Sequence, residues 1–531
     1  MPNSLHPAPA SSRVVTLLTA ALLLSGCGGG DNPADDMGSE TMATGETMGD
    51  GDGNTGDGDT GDGDTGDGDG DGDPACGDPG CTCDGDTCNA GLACVDGTCQ
   101  ETNCGDGEVQ GNEECEDGNE IDGDGCDNDC TFTRVARVEA GQHHTCALID
   151  GGAIVCWGRG EYGQLGYGNP NRVGDDELPS DVGPVPLALS VVELELGSQH
   201  SCAILEDGGL RCWGLNGRGQ LGNGTTNNIG DDESIENLAP VSVPPVIEVK
   251  AGRRHTCARV GNGELRCWGA NDHGQLGYGN TMDMVPVLEM LLPGESVSVG
   301  GVTSRLAIGI WHSCVNFVDG GVRCWGLNDS GQLGYGNLDN IGDDELPDSV
   351  GLVQIIPPAL PANTEVVSVS LGGNHGCALL GGGELMCWGA NDLGQLGYGD
   401  LNNVGDDDLP SSRVPVDIGG PAVEVVCGTN HTCARRDDNE VLCWGDNSVG
   451  QLGLGNTENI GDDELPVVAG PVQLGGVAIQ LSAGSNHTCA LTSEAEVRCW
   501  GQNNYSQLGL GSSVTVGDNE TPSEVNPVSV F

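Results

Sequence analysis

Short runs of aliphatic and β-branched residues alternate with glycine-rich turns along the C-terminal three quarters of this chain. In the first such unit, Cys146-Ala147-Leu148-Ile149 and Ala153-Ile154-Val155-Cys156 flank Asp150-Gly151-Gly152. That pattern is a hairpin signal, two strands around a tight turn. Pairing Ile149 with Ala153 sets Cys146 opposite Cys156. The unit recurs seven times: His, a small residue and Cys, a second Cys ten positions on, Trp-Gly, and soon a segment such as Gly163-Gln164-Leu165-Gly166. Successive copies lie 55 to 63 residues apart, the scale of a four-stranded blade rather than of a helical repeat. The prediction is an all-β chain whose residues 131–531 form a seven-bladed β-propeller.

Cross-strand residues of a non-hydrogen-bonded pair are close enough to be bridged. Seven intra-blade disulfides are therefore expected: Cys146–Cys156, Cys202–Cys212, Cys257–Cys267, Cys314–Cys324, Cys377–Cys387, Cys433–Cys443 and Cys489–Cys499. Each closes a small loop and stabilises by roughly 2–3 kcal/mol in the loop-entropy account. The Trp after each second Cys is expected to pack between blades, and Gly-Gln-Leu-Gly to give a tight turn with one buried Leu.

These residues closely resemble the repeats of the regulator of chromosome condensation family, seven-bladed propellers marked by Gly-x-x-His-Ser/Thr, Trp-Gly-x-Asn and Gly-Gln-Leu-Gly. The resemblance covers residues 135–531. The cysteine pair departs from the nuclear members and fits an exported relative. Those nuclear members exchange nucleotide on a small GTPase and bind chromatin, activities not expected here. The terminal Pro527-Val528-Ser529-Val530-Phe531 matches segments such as Pro184-Val185, and no such segment precedes Val135. The C-terminal strand is thus expected to complete the blade of residues 135–170 and latch the ring.

The N-terminal region reads as an address and a spacer. Arg13 precedes the apolar run Val14 to Leu24, and Leu24-Ser25-Gly26-Cys27 resembles a bacterial lipobox. Residues 1–26 are read as a lipoprotein signal peptide and Cys27 as the lipidated residue, with acyl chains as the only membrane attachment. Gly28 after the Cys favours the outer membrane or cell surface. Residues 27–75 are a disordered Gly/Asp-rich tether, since residues 31–75 hold fifteen acidic side chains and no Lys or Arg. Residues 76–130 form a disulfide-rich module with ten cysteines, because so apolar-poor a segment needs staples to fold. Cys427 is left over, at a position held by Ala140, Ala251 and Ala483 in other copies, and is read as a buried small residue.

Catalytic and metal chemistry find little support. The His before each first Cys (144, 200, 255, 312, 375, 431, 487) forms a sevenfold ring. Zinc needs its ligands about 2 Å from one point, and equivalent positions on seven blades do not converge. A hydrogen-bonding role within each blade is expected instead, with no metal site and no catalytic residues. The chain is read as not an enzyme. Acidic loops recur at Gly174-Asp175-Asp176-Glu177 and five later positions. They are read as turns with self-capping Asp side chains, calcium being the competing occupant.

Function is sought where the copies vary. The position three before the first Cys runs His143, Gln199, Arg254, Trp311, Asn374, Asn430, Asn486. The one before Gly-Gln-Leu runs Tyr162, Arg218, His273, Ser330, Leu393, Val449, Tyr505. Both emerge at one end of the blades, opposite the Asp-Gly-Gly turn. A constant framework with a varied face suits binding, and Trp311, Arg254, Arg218, Tyr162, Tyr505, His143 and His273 are the candidate ligand-binding residues. The net charge of −63 argues against nucleic acid or an anionic bilayer as partner. The reading is a monomeric propeller on a surface lipoprotein that binds a protein or matrix ligand, with an enzyme or enzyme inhibitor on the same face as the alternative.

Overall fold

The computed structural model describes strands Leu92–Val95 and Thr98–Glu101, residues 132–285 and residues 296–531. The signal segment with Cys27, the acidic tether and most of the cysteine module lie outside the described residues. Everything described here belongs to one compact unit within Gly72–Phe531. Strands β1 (Leu92–Val95) and β2 (Thr98–Glu101) form an antiparallel hairpin with Cys94 opposite Cys99.

The rest is seven three-stranded antiparallel sheets, one per sequence copy. Blade 1 is β3 (Val135–Ala140), β4 (His144–Ile149) and β5 (Ile154–Gly158). Blade 2 is β6 (Val191–Leu196), β7 (His200–Leu205) and β8 (Leu210–Gly214). Blade 3 is β9 (Val246–Ala251), β10 (His255–Val260) and β11 (Leu265–Gly269). Blade 4 is β12 (Thr303–Ile308), β13 (His312–Phe317) and β14 (Val322–Gly326). Blades 5 to 7 repeat the order with β15–β17 (366–371, 375–380, 385–389), β18–β20 (422–427, 431–436, 441–445) and β21–β23 (478–483, 487–492, 497–501).

Within a blade the hairpin register is the one set by the turn. Cys146 faces Cys156 and Leu148 faces Ile154, with the Ile149 amide bonded to the Ala153 carbonyl at 2.8 Å. Disulfides join all seven facing pairs, each with Cα atoms 4.1 Å apart. That spacing belongs to a non-hydrogen-bonded pair, whose amides point away from each other. The outward amide of the second Cys finds a side chain instead in four blades. In blade 1 the Tyr167 hydroxyl accepts from Cys156 N at 3.1 Å and donates to Cys156 O at 3.3 Å. Tyr278, Tyr335 and Tyr398 do the same for Cys267, Cys324 and Cys387.

The expected C-terminal latch is not what closes the ring. Val528 pairs with Val497 of its own blade, its amide 2.8 Å from the Val497 carbonyl. Val185 likewise bonds Ile154, and Val241, Val297, Val353, Val416 and Val472 bond the third strands of blades 2 to 6. Each of these Val segments, five of them Pro-Val, finishes the blade just made, so blade 1 already has its fourth segment. Closure comes from side-to-side packing. The Gln507 carbonyl of blade 7 accepts from Trp157 Nε1 at 3.0 Å and from the Thr145 hydroxyl at 2.8 Å. Gln164 does the same for Trp213 and Ser201 of blade 2. Every seam therefore carries one Gln-Leu-Gly turn, preceded by Gly in six copies and by Ser506 in the seventh, under the next blade's Trp, and these seven tryptophans are fully buried.

Candidate functional site

The histidine ring belongs to these seams. His144 Nε2 lies 3.0 Å from Ser201 Oγ, whose own proton goes to the Gln164 carbonyl at 2.8 Å. With that proton committed, the imidazole must be the donor, so a ring bonded in this way is the neutral Nε2–H form with a bare Nδ1. The same bond joins His200 to Thr256, His375 to Thr432, His431 to Thr488 and His487 to Thr145. His255 reaches Ser313 at 3.4 Å. Blade 5 has Gly376 where others carry Ser or Thr, and both ring nitrogens of His312 are consequently without a partner. Burial holds these histidines far below their ordinary pKa, His144 at about 3 and His431 at about 4. Gly141 shows why the ring needs its glycine: a Cβ there would stand 2.5 Å from His144 Cε1.

The constant glutamines also pin the varied residues. Gln164 Oε1 accepts the Tyr162 amide at 2.9 Å, and Gln220, Gln275 and Gln507 hold the amides of Arg218, His273 and Tyr505 in the same way. The other varied series is fixed by its carbonyls: His143 O accepts from Arg159 N, Arg254 O from Ala270 N, and Trp311 O from Leu327 N. Backbone is thus held rigidly while side chains differ, and both series stand at the same blade end.

The candidate residues gather in two places. At the seam of blades 7 and 1, the His143 and Tyr505 rings lie 4.6 Å apart. Arg159 sits 5.1 Å from the Tyr162 ring and 4.9 Å from the Tyr505 ring, with Arg172 5.1 Å from Tyr505. Glu161 pairs with both arginines, at 2.6 and 3.7 Å. Burial and the neighbouring Arg159 lower His143 to about 4, so it is neutral at physiological pH. At blades 3 and 4, Arg253 stacks 4.7 Å from the Trp311 ring and His273 meets that ring edge-on at 5.4 Å. Arg218 is engaged elsewhere, held by Asp272 at 2.8 Å and by Asp283. Arg159, Arg172 and Arg253 escaped the sequence reading, although the position of Arg253 (Gln142, Ser198, Ile310 in other copies) varies as visibly as its neighbour.

A second feature went unread. The innermost strands enclose a central cavity of about 490 Å³ lined by Arg137, Glu139, Glu193, Glu195, Lys250 and Arg305 among others. Its signal was a charge in the middle of an otherwise apolar strand, as in Val191-Val192-Glu193-Leu194-Glu195-Leu196. Lys250 Nζ lies 2.6 Å from Glu195, and Arg137 pairs with Glu139 at 2.5 Å. Burial lifts the Glu195 carboxyl to about 7, with Glu139 adding to the effect. Some of these charges are structural: Glu248 and Glu424 each accept the backbone amide of the next inner strand, at Leu306 and Leu481.

The acidic loops place three carboxylates within 4.8 Å of one another in five copies, for example Asp343, Asp344 and Glu345. Such groups are able to hold a hard cation. They also cap local backbone, as Asp408 Oδ1 does for Gly405 N at 2.9 Å. Burial and the neighbouring aspartates push Glu345 and Glu464 up to about 7. Cys427, the free cysteine of the described residues, is buried on β18, and burial pushes its thiol up to about 12.

A ring of seven stapled blades with a rigid frame and a varied end face defines a protein-binding propeller. Comparison with known proteins places it more narrowly. The RCC1-like domain matches residues 228–530 and the regulator of chromosome condensation (RCC1) repeat matches residues 135–164, 191–220 and 152–204. The chain belongs to the RCC1-like family. A domain of unknown function, DUF4215, matches residues 86–131. Among curated proteins, the ultraviolet-B receptor UVR8 of Arabidopsis thaliana is 29% identical over 403 residues, 75% of this chain and 83% of that protein. The probable E3 ubiquitin-protein ligase HERC3 of Homo sapiens is 30% identical over 58% of this chain, which spans only 32% of HERC3. Human WBSCR16 superposes with a TM-score of 0.53 at 19% identity, covering 70% of this chain and 92% of its own. Yeast RCC1 (Prp20), solved with Kap60 bound, gives 0.51 at 19%, covering 68% and 81%.

These relatives correct one expectation. The chain was read as not an enzyme, yet HERC3 and HERC6 are both named as probable ubiquitin ligases. Family membership therefore gives no ground for excluding catalysis.

Proposed function

We propose that this chain is an exported binding protein that presents one end of its propeller to a protein partner. The observation that carries the reading is the convergence of sequence-varied side chains on one blade end, each on backbone pinned by an invariant Gln or His-loop carbonyl. Pinning lowers the ordering cost of binding, and aromatic and arginine anchors supply its contacts. Yeast Prp20p, of this fold, is described with Kap60 bound and for binding Gsp1p and histones. Lipid attachment at Cys27, an acidic spacer and an oxidising compartment outside the cell or at the outer membrane complete the proposal. The seven disulfides support the oxidising compartment. A surface or matrix protein is the partner class.

The test is capture from envelope and medium with the full-length protein beside a Trp311→Ala, Arg254→Ala, Tyr162→Ala variant. Loss of a partner from the folded variant supports the face. Equal recovery with both proteins moves the site elsewhere. Separately, Cys27→Ala should release the protein from membranes, and continued sedimentation with them would remove the lipid anchor from the proposal.

A further inference from the structure

The chain holds 81 Asp and Glu against 18 Lys and Arg, so a surface arginine has carboxylates nearby almost anywhere. Most described cationic side chains are indeed paired, down to isolated examples such as Arg413 with Asp400 at 3.0 Å. Arg323 instead bonds the Val299 and Val350 carbonyls. Arg253, Arg254 and Arg305 have neither kind of partner among the described residues, and all three lie on the adjacent blades 3 and 4. Arg253 and Arg305 both line the central cavity. Arg253 stands at its mouth, stacked on Trp311 and next in sequence to Arg254. Burial and the adjoining Arg254 charge lower the Arg253 pKa. Two neighbouring guanidinium groups without a counter-ion are a local cost that a bound anion relieves.

We propose that Arg253, Arg254 and Trp311, with Arg305 deeper in the cavity, bind the free C-terminal carboxylate of an extended peptide from a partner protein. The guanidinium fork matches a carboxylate in two parallel hydrogen bonds. Trp311 offers a surface to the neighbouring side chain. On the wall beyond Arg305, Ala307, Ser368 and Ser370 take the place of the long side chains of blades 1 to 3, leaving room within the 490 Å³ cavity. The anion must be compact. Acidic loops recur around the ring, and their field reaches about 8 Å at physiological ionic strength. A long polyanion would cross several of them and the carboxylates that line the cavity, whereas a single terminal carboxylate seated at the mouth stays beside Arg253 and Arg254. The inference rests on the reading that this end of the propeller binds a protein.

Trp311 makes the test direct, because the other seven of the eight tryptophans are fully buried. Quenching of the full-length protein's fluorescence is measured with iodide and caesium, using acrylamide as neutral reference. Iodide should quench Trp311 better than caesium despite the net charge of −63. An Arg253→Gln, Arg254→Gln variant of unchanged melting temperature should lose that preference by about threefold or more. A pool of N-acetylated tripeptides with free carboxylates should protect Trp311, and the same pool as C-terminal amides should be at least about tenfold weaker. Arg305→Gln should weaken the peptide effect while leaving iodide quenching intact. Preferential quenching by caesium, or equal behaviour of acid and amide pools, overturns the inference. If a captured partner is lost with Tyr162→Ala and Tyr505→Ala yet kept in full by the arginine variant, the face stands and this inference falls.

Discussion

Lowering the pH from 7 to 5 should unfold this propeller through its histidine ring. All seven ring imidazoles are fully buried and held at about 3 to about 4 in the folded chain. In the unfolded chain they titrate near 6.5. The folded pKa is the lower one, so the unfolded state takes up protons first. The stability contributed by the neutral rings is therefore complete above pH 7 and declines as pH falls below 6.5 toward the folded values. At pH 5 each histidine contributes a loss of about 2 kcal/mol, and seven together a loss on the order of 10 kcal/mol, comparable with the whole stability of an ordinary domain. Three largely buried carboxyls oppose this: Glu195, Glu193 and Glu424, all raised by burial, bind their protons earlier when folded. They are outnumbered seven to three. Glu345 and Glu464 shift in the same direction as Glu195 but lie near solvent, where screening removes most of their weight. The seven imidazoles therefore dominate the balance across this window. Guanidinium midpoints read by tryptophan fluorescence at pH 7, 6 and 5, without reductant, measure the effect. A midpoint unchanged between pH 7 and 5 would refute the neutral, buried ring, as would a proton uptake on unfolding of one or fewer.

Four further outcomes follow from packing. Replacing Cys202 and Cys212 together by Ser should lower stability by about 2–3 kcal/mol by chemical denaturation, with the fold retained; a neutral result would mean the oxidised loop adds nothing. Tyr398→Phe removes the hydroxyl that serves both Cys387 N and Cys387 O at 3.0 Å and should cost about 1–3 kcal/mol, against nothing measurable if water substitutes. Gly141→Ala drives a Cβ to 2.5 Å from His144 Cε1 and 2.6 Å from Gly197 O, so its melting point should drop sharply; Gly217→Ala, with nothing within 4 Å, should be neutral. Cys427 should resist thiol reagents in the native protein and react fully after denaturation.

Much of the blade was legible because its constraints are local. A hairpin around Asp150-Gly151-Gly152 leaves one parity for Cys146 and Cys156, and a slip of one residue would turn every side chain to the other face. The same parity placed His143 and Tyr162 at one blade end. The closure of the ring was misread because the Pro-Val segments lie between copies and nothing in their order assigns them to the earlier or later blade. The hydrogen bond from Val185 to Ile154 decides it. The candidate residues were read as a set of varied positions and not as neighbours. Only the seams show that Tyr505 meets His143, that Asp272 and Asp283 occupy Arg218, and that Trp311 is stacked by Arg253 rather than Arg254.

The sequence by itself determined the period, the all-β class, the hairpin register and the seven cysteine pairings, since each follows from contacts within about a dozen residues. The tertiary structure alone decided what crosses a seam. The Val138 amide donates to the side-chain oxygen of Gln480, 342 positions away, and Thr145 meets His487 at the same remove. The charged cavity and the three unpartnered arginines arise in the same way. They depend on the angle at which one rigid blade meets the next, summed around the ring until it closes, and that angle belongs to the packing of whole sheets.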